Sequence, residues 1–179
     1  MSIFYSKKYL RGRREKNNYP ELDSQIIKQA QIIIDSFNHL DKIAIYYPYK
    51  SEIDITPLLK IYNDKSFALP KIQGQNLSFN IYKEGDLLTK NNFGIYESDN
   101  KNFIQPEILF IPAINFDFNG YRVGYGKGYY DRYLAKNNNF SRIIAVGVCY
   151  QKNLVTNIDI NIYDRPMNYI ITEHKILCF

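Results

Sequence analysis

Between Asp117 and Asp131 the chain reads DFNGYRVGYGKGYYD, which sets cations, carboxylates and tyrosines among closely spaced glycines. Arg122 precedes three glycines in five residues, Gly124, Gly126 and Gly128, with Lys127 between the last two. Such a loop brings backbone N–H groups close to an anion at the positive end of a helix. Absent Cβ atoms leave the approach open. A guanidinium grips two phosphate oxygens at once, and an ammonium acts as a point charge. Asp131 lies one turn into the helix that opens at Tyr129. A carboxylate there repels bare phosphate, so it makes chemical sense as a ligand of a Mg2+ ion bridging phosphates. The plainer alternative is a carboxylate complementing the helix dipole. Tyr129 and Tyr130 either stack on a heterocycle or face the core. The glycine spacing is not a dinucleotide fingerprint, and no Ser or Thr follows Lys127 as a P-loop requires.

Two further places carry candidate groups. Residues 2–16 hold six basic residues among Phe4, Tyr5, Tyr9 and Leu10, which reads as a basic helix. Lys7 and Arg11 are four apart and share a face, so together they can grip one anion. A solvated face, or a nucleic-acid arm of basic residues interleaved with aromatics, are the alternatives. Glu52 and Asp54 fall in the loop after the apolar run Lys42 to Tyr47. In open α/β sheets ligands bind beyond the C-terminal ends of strands. Asp54 reads better as an acid at the start of the following helix. His39, at a helix end, reads as a dipole partner, and Cys149 and Cys178 form no motif.

Composition limits the classes of protein. The chain has 179 residues, 45% of them apolar, with a net charge of +5. That is one domain, expected over 1–179, with enough chain for a sizeable core. The positive charge permits a polyanionic small molecule, nucleic acid or anionic lipid. Two unmatched cysteines fit a reducing, cytoplasmic setting. No apolar stretch has the roughly 20 residues of a membrane span, and the basic N-terminus lacks a signal-peptide apolar segment.

The elements that position these groups follow from periodicity. Ile26, Ile27, Ala30, Ile33, Ile34 and Phe37 recur at helical spacing after Pro20. Thr56 and Pro57 read as the cap and first residue of a short helix. Buried strands are expected over 42–47, 66–70, 107–111, 142–149 and 169–172, with a hairpin-like strand between Gly74 and Gly85. The stretches 91–102, 113–121 and 152–161 read as loops, and 137–139 as a turn. Strands alternating with helices give an α/β fold: three-layer αβα, with a mostly parallel central sheet, as a Rossmann-like single domain.

The stretch Asp117 to Asp131 resembles the signature of the 5-formyltetrahydrofolate cyclo-ligase (methenyltetrahydrofolate synthetase) family, roughly F-D-x-x-G-x-R-L-G-x-G-x-G-Y-Y-D. The likeness runs along the chain. Lys7-x-x-Leu10-Arg11 is similar to the family's K-x-x-L-R, and Tyr47 to Ile53 to a strand and loop ending in a folate-contacting Glu. Phe93 to Glu97 is similar to F-G-I-x-E-P, Tyr163-Asp164 to an H-D pair, and Ile171-Thr172-Glu173 to the closing I-T-E. Departures are Leu77 for Met, Ser98 for Pro, Glu107 for Asp, Ala113 for Gly and Tyr163 for His.

The resemblance implies ATP-dependent conversion of 5-formyltetrahydrofolate to 5,10-methenyltetrahydrofolate. By position it implies ATP phosphates on Lys7, Arg11, Arg122, Gly124, Gly126, Lys127, Gly128, Tyr129 and Tyr130. Mg2+ would sit on Asp131 and Asp164. Folate would contact Tyr47, Glu52, Tyr125, Gly126, Lys127, Gly128 and Tyr129. Glu52 would anchor the pterin or accept the N10 proton, with anchoring the favoured role. The partners expected are ATP and the folate, with no nucleic acid and no membrane, for a cytoplasmic monomer. Two other readings make different demands. A nucleic-acid-binding protein would use the basic N-terminal helix. A phosphosugar isomerase would need a carboxylate base beside the phosphate site and no nucleotide.

Overall fold

A computed structural model describes residues 3–13, 19–136 and 142–179. The turn expected at 137–139 and the end of the basic N-terminal helix lie outside the described residues. That helix is also shorter at its start. Phe4–Tyr5 forms strand β1, and the Ser6 hydroxyl accepts the Tyr9 N–H at 3.2 Å to cap α1 (Lys7–Gly12). Helix α2 (Pro20–Ser36) has Pro at its start and Glu21 and Asp23 in its first turn, both favourable at a helix N-terminus. Its buried stripe is Ile26, Ala30, Ile33 and Ile34.

Strand β2 (Lys42–Ala44) stops pairing before the expected Tyr47. The Ile45 N–H still reaches the Ala68 carbonyl at 3.1 Å, and the chain then leaves the sheet toward the cleft. Helix α3 (Leu58–Ile61) is capped at Pro57 and not at Thr56. Asp54 is the reason. Its Oδ1 accepts both the Thr56 N–H at 2.9 Å and the Thr56 hydroxyl at 2.7 Å, closing an Asx turn.

Strands β3 (Ser66–Gln73) and β4 (Asn76–Ile81) make the expected hairpin around Gly74. Residues 91–102, expected to be a loop, instead hold β6 (Tyr96–Ser98), which forms a second hairpin with β5 (Leu88–Lys90) just before them. Next comes β7 (Ile108–Pro112). Residues 113–121, expected to be irregular, instead contribute β8 (Asn115–Asp117), which pairs with β9 (Arg122–Val123). Asp117 ties that turn together. Oδ1 accepts the Asn119 and Tyr121 N–H groups, both at 2.9 Å, and Oδ2 the Ile158 N–H at 2.9 Å. Helix α4 (Tyr129–Ala135) begins where expected. The chain ends with β10 (Ile144–Val148), β11 (Leu154–Val155), β12 (Asn157–Ile158), β13 (Tyr169–Ile171) and β14 (Ile176–Cys178).

Seven strands form the central sheet in the order β14-β13-β10-β7-β2-β3-β4. Its inner pairs are parallel, and antiparallel β14 and β4 close the edges. Side chains alternate across it. Ile43, Ile108, Phe110 and Val146 pack with α2 and α3 on one face. Ala44, Leu109, Ile111 and Ala145 pack with Leu134 of α4 and Phe116 of β8 on the other. This is the expected αβα arrangement with a mostly parallel sheet. From β2 the chain winds to β3 on one side and later enters β7 on the other, so the winding reverses between β2 and β7.

Gly120 fixes the β8–β9 turn at φ +85°, and a Cβ there would lie 3.2 Å from the Met167 carbonyl oxygen. Gly120→Ala is expected to lower stability by about 1–2 kcal/mol through left-handed strain. The check is a denaturant midpoint. An unchanged midpoint would show that the turn relaxes without cost.

Candidate active site

The strand ends at the β2/β7 reversal are where an open α/β sheet receives ligands. A cleft of about 780 Å³ opens there, and every residue expected to bind phosphate, metal or folate lines it. Packing explains how α1 reaches it. Leu10 is buried with Val123 and Ile158, which seats the helix on β9. Lys7 and Arg11, one turn apart, then face the cleft.

The Arg11 Nε–H donates to the Gly124 carbonyl at 3.0 Å. Its guanidinium lies over Gly126, where an added Cβ would come within 3.3 Å of Cζ and φ is +91°. Glycine at 126 is therefore favoured by the backbone, and it lets Arg11 lie close over the loop. Arg132, to which the sequence assigned nothing, braces the loop from the far side. It donates to the Lys127 carbonyl at 2.8 Å and the Gln75 carbonyl at 3.0 Å, joining the glycine loop to the β3–β4 turn. The Lys127 ammonium sits 5.5 Å from the Phe93 ring centroid.

The expected phosphate ligands and metal ligands are paired with one another. The Lys7 ammonium forms an ion pair with Asp164, whose Oδ2 also accepts the Asn161 N–H at 2.7 Å. The Arg122 guanidinium donates to Asp131 Oδ1 at 2.8 Å and to the Arg165 carbonyl at 3.1 Å. The Arg165 N–H reaches the same Asp131 oxygen at 3.2 Å. Arg122 is 8% exposed. Burial pulls its pKa below the usual arginine range, and the Asp131 charge opposes that pull. Within these two pairs the charges balance, while Arg11 and Lys127 add positive charge to the same end of the cleft. A ligand carrying anionic phosphates and a hard cation offers each group a replacement partner: phosphate for the two cations, metal for the two carboxylates.

Asp131 and Asp164 are fit for that cation. They lie on different segments, line one cleft, and are linked through Arg165, whose N–H bonds Asp131 and which follows Asp164 directly. Mg2+ takes one or two carboxylates plus phosphate oxygens and water. Among the described residues no group of three or more His, Cys, Asp or Glu stands ready to cage a metal unaided.

The other end is aromatic. Tyr47 packs edge-on against Tyr96 at 5.1 Å, and Tyr49 against Tyr125 at 5.9 Å. Glu52 accepts the Tyr49 N–H at 2.9 Å, which sets its carboxylate at the turn after β2. Burial of its hydroxyl raises the Tyr130 phenol above the ordinary tyrosine range, the Glu52 charge adds to the rise, and Arg122 opposes it. Tyr130 therefore stays protonated. Glu97 is a buried carboxylate whose role the sequence did not state. Its Oε1 accepts the Ile72 N–H at 3.0 Å and the Asn91 amide at 2.7 Å, pinning the β5–β6 hairpin to β3 beside the cleft. Two departures from the family pattern are structurally engaged. The Ser98 hydroxyl donates to the Ile81 carbonyl at 2.7 Å, and Glu107 accepts the Asp41 and Lys42 N–H groups, both at 3.0 Å.

An αβα sheet with a cleft at its topological switch point, charged at one end and aromatic at the other, is the arrangement in which α/β proteins receive ligands. The chain belongs to the 5-formyltetrahydrofolate cyclo-ligase family, whose model matches residues 7–173. This is a family of ligases. The 5-formyltetrahydrofolate cyclo-ligase of Haemophilus influenzae is 33% identical over 80% of this chain and 81% of its own length. The solved 5,10-methenyltetrahydrofolate synthetase of Aquifex aeolicus superposes with a TM-score of 0.78 at 28% identity, covering 96% of this chain and 90% of that one. The fold is also that of the Mycoplasma pneumoniae synthetase, with a TM-score of 0.71 at 23% identity, covering 93% and 96% of the two chains. Among the described residues no helix is long and apolar enough to cross a membrane.

Proposed function

We propose that this protein converts 5-formyltetrahydrofolate to 5,10-methenyltetrahydrofolate with consumption of ATP, releasing ADP and phosphate, as part of cytoplasmic one-carbon metabolism. The observation that carries this reading is the cleft itself. One end holds cations and carboxylates in exchangeable pairs, and the other holds tyrosines and Glu52. Lys7, Arg11, Arg122 and the loop Gly124 to Tyr130 hold the ATP phosphates. Tyr47, Glu52 and the loop Tyr125 to Tyr129 hold the folate, with Glu52 anchoring pterin N–H groups. Mg2+ on Asp131 and Asp164 would neutralise phosphate charge when bound. The chain acts as one domain over 1–179 and as a monomer.

The chemistry asks the protein for positioning and charge neutralisation, not for a nucleophile. The formyl oxygen attacks the γ-phosphorus and ADP departs. The N10 lone pair then attacks the activated formyl carbon. The C–O bond to phosphate breaks, the N10 proton passes to the departing phosphate or to water, and the methenyl bridge is closed. Arg122 stabilises equatorial phosphoryl charge, and the Arg11-supported glycine loop fixes the direction of attack. Lys7 and Arg11 face inward, which favours a small polyanion over a nucleic-acid backbone.

The test is purified protein with 5-formyltetrahydrofolate, ATP and Mg2+, followed by the absorbance of the methenyl product. Product is expected only when all three are present. No product at any pH from mildly acidic to mildly alkaline would overturn the reading.

A further inference from the structure

We infer that Tyr163 is the platform on which the nucleotide base stacks. The inference rests on the reading of the cleft as an ATP site, and it assigns a group that the phosphate ligands leave unassigned. The other cleft aromatics are engaged. Tyr46 is buried, its hydroxyl donating to the Ile53 carbonyl at 2.9 Å. Tyr47 packs on Tyr96 and Tyr49 on Tyr125. Phe93 lies under Lys127, Tyr129 under Arg132 and Tyr130 near Arg122. Tyr163 lines the same cleft, is 74% exposed, and has no ring or cation against either face among the described residues. Ile162 beside it is 80% exposed.

The backbone that carries this ring is an ordered turn. Asn161 Oδ1 accepts the Tyr163 N–H at 2.9 Å, and the Asp164 N–H donates to the Asn161 carbonyl at 3.1 Å. Arg165 donates to the Ile162 carbonyl at 3.0 Å. With the turn already ordered, a base that settles on the ring has only the side-chain rotamer left to fix. Its place along the cleft also decides the ligand. The next residue is Asp164, the partner of Lys7 at the phosphate end. A nucleotide whose phosphates displace that pair carries its base outward, past the turn that presents Tyr163. The flat, apolar face suits a purine, which every aromatic side chain can stack.

The chain contains no tryptophan, so Tyr163→Trp introduces a single fluorescent reporter. Titrated with Mg2+ and ATP, it is expected to show saturable quenching. Mg2+ with inorganic tripolyphosphate, which has the phosphates and no base, is expected to leave the emission unquenched. By calorimetry, Tyr163→Ala is expected to weaken ATP about fivefold or more, with tripolyphosphate and 5-formyltetrahydrofolate binding unchanged and Tyr163→Phe like the unaltered protein. Equal ATP affinity in Tyr163→Ala and the unaltered protein overturns the inference while leaving the ATP reading intact. So does an equal loss of ATP and tripolyphosphate affinity, which would mean that Tyr163 only supports the turn. If ATP fails to bind the unaltered protein, both the inference and the ATP reading fall.

Discussion

Asp131→Ala is expected to lower turnover at least about a hundredfold, roughly 2.7 kcal/mol in the barrier, and to lower stability as well. The two effects come from one carboxylate serving two partners. In the free protein it faces Arg122, a guanidinium with a side chain 6% exposed, at 2.8 Å. Removing one member of a buried pair leaves the other uncompensated and costs about 3 kcal/mol. With substrate bound, the same carboxylate is the proposed metal ligand. Asp131→Asn separates the roles. Asparagine keeps an oxygen for the Arg122 and Arg165 donors but not the charge, so the fold is largely retained while turnover still falls at least about tenfold. The measurements are kcat by product absorbance and a thermal midpoint on both variants. Unaltered turnover in Asp131→Asn would remove Asp131 from the metal site.

Lys7→Met is expected to raise the KM for ATP at least about tenfold, roughly 1.4 kcal/mol, with the KM for the folate unmoved. Lys7 and Asp164 are both largely buried, with side chains 18% and 13% exposed. When ATP enters, the ammonium exchanges Asp164 for phosphate, and Asp164 becomes available to a cation. Methionine keeps the length and packing of the side chain without the charge. It also leaves Asp164 without its ammonium. Mg2+ alone, titrated calorimetrically without nucleotide, is therefore expected to bind this variant more tightly than the unaltered protein. An unchanged KM for ATP would place Lys7 outside the phosphate site, and unchanged metal binding would show that the ion pair does not compete with Mg2+.

The local signals that were legible in the sequence share a cause: each depends on residues near one another along the chain. The stripe from Ile26 to Ile34 sets α2, and the continuous apolar runs set β7 and β10, because periodicity reports burial directly. The β5–β6 hairpin was not legible. Its buried residues are Glu97 and Ser98, polar side chains satisfied by Ile72 of β3, Ile81 of β4 and Asn91 of the hairpin's own loop, so no apolar alternation marks it. The β8–β9 turn was missed because Asp117 stabilises it partly through the Ile158 N–H, far along the chain. Thr56 does not cap because its hydroxyl, the group that would cap, donates to Asp54 two residues earlier.

The candidate site divides in the same way. Residue types and spacing by themselves determined a glycine loop at Gly124, Gly126 and Gly128, two basic residues on one helix face at Lys7 and Arg11, and an αβα fold to carry them. Those follow from glycine sterics, helix geometry and hydrophobic period, which act over a few residues. Only the tertiary structure decided how the charges meet, Lys7 with Asp164 and Arg122 with Asp131, and that Arg132 braces the glycine loop while Tyr163 stands exposed at the cleft. Lys7 and Asp164 stand 157 residues apart in the chain. Their meeting depends on Leu10 seating α1 against β9 and β12, and long-range packing of that kind leaves no periodic trace in the sequence.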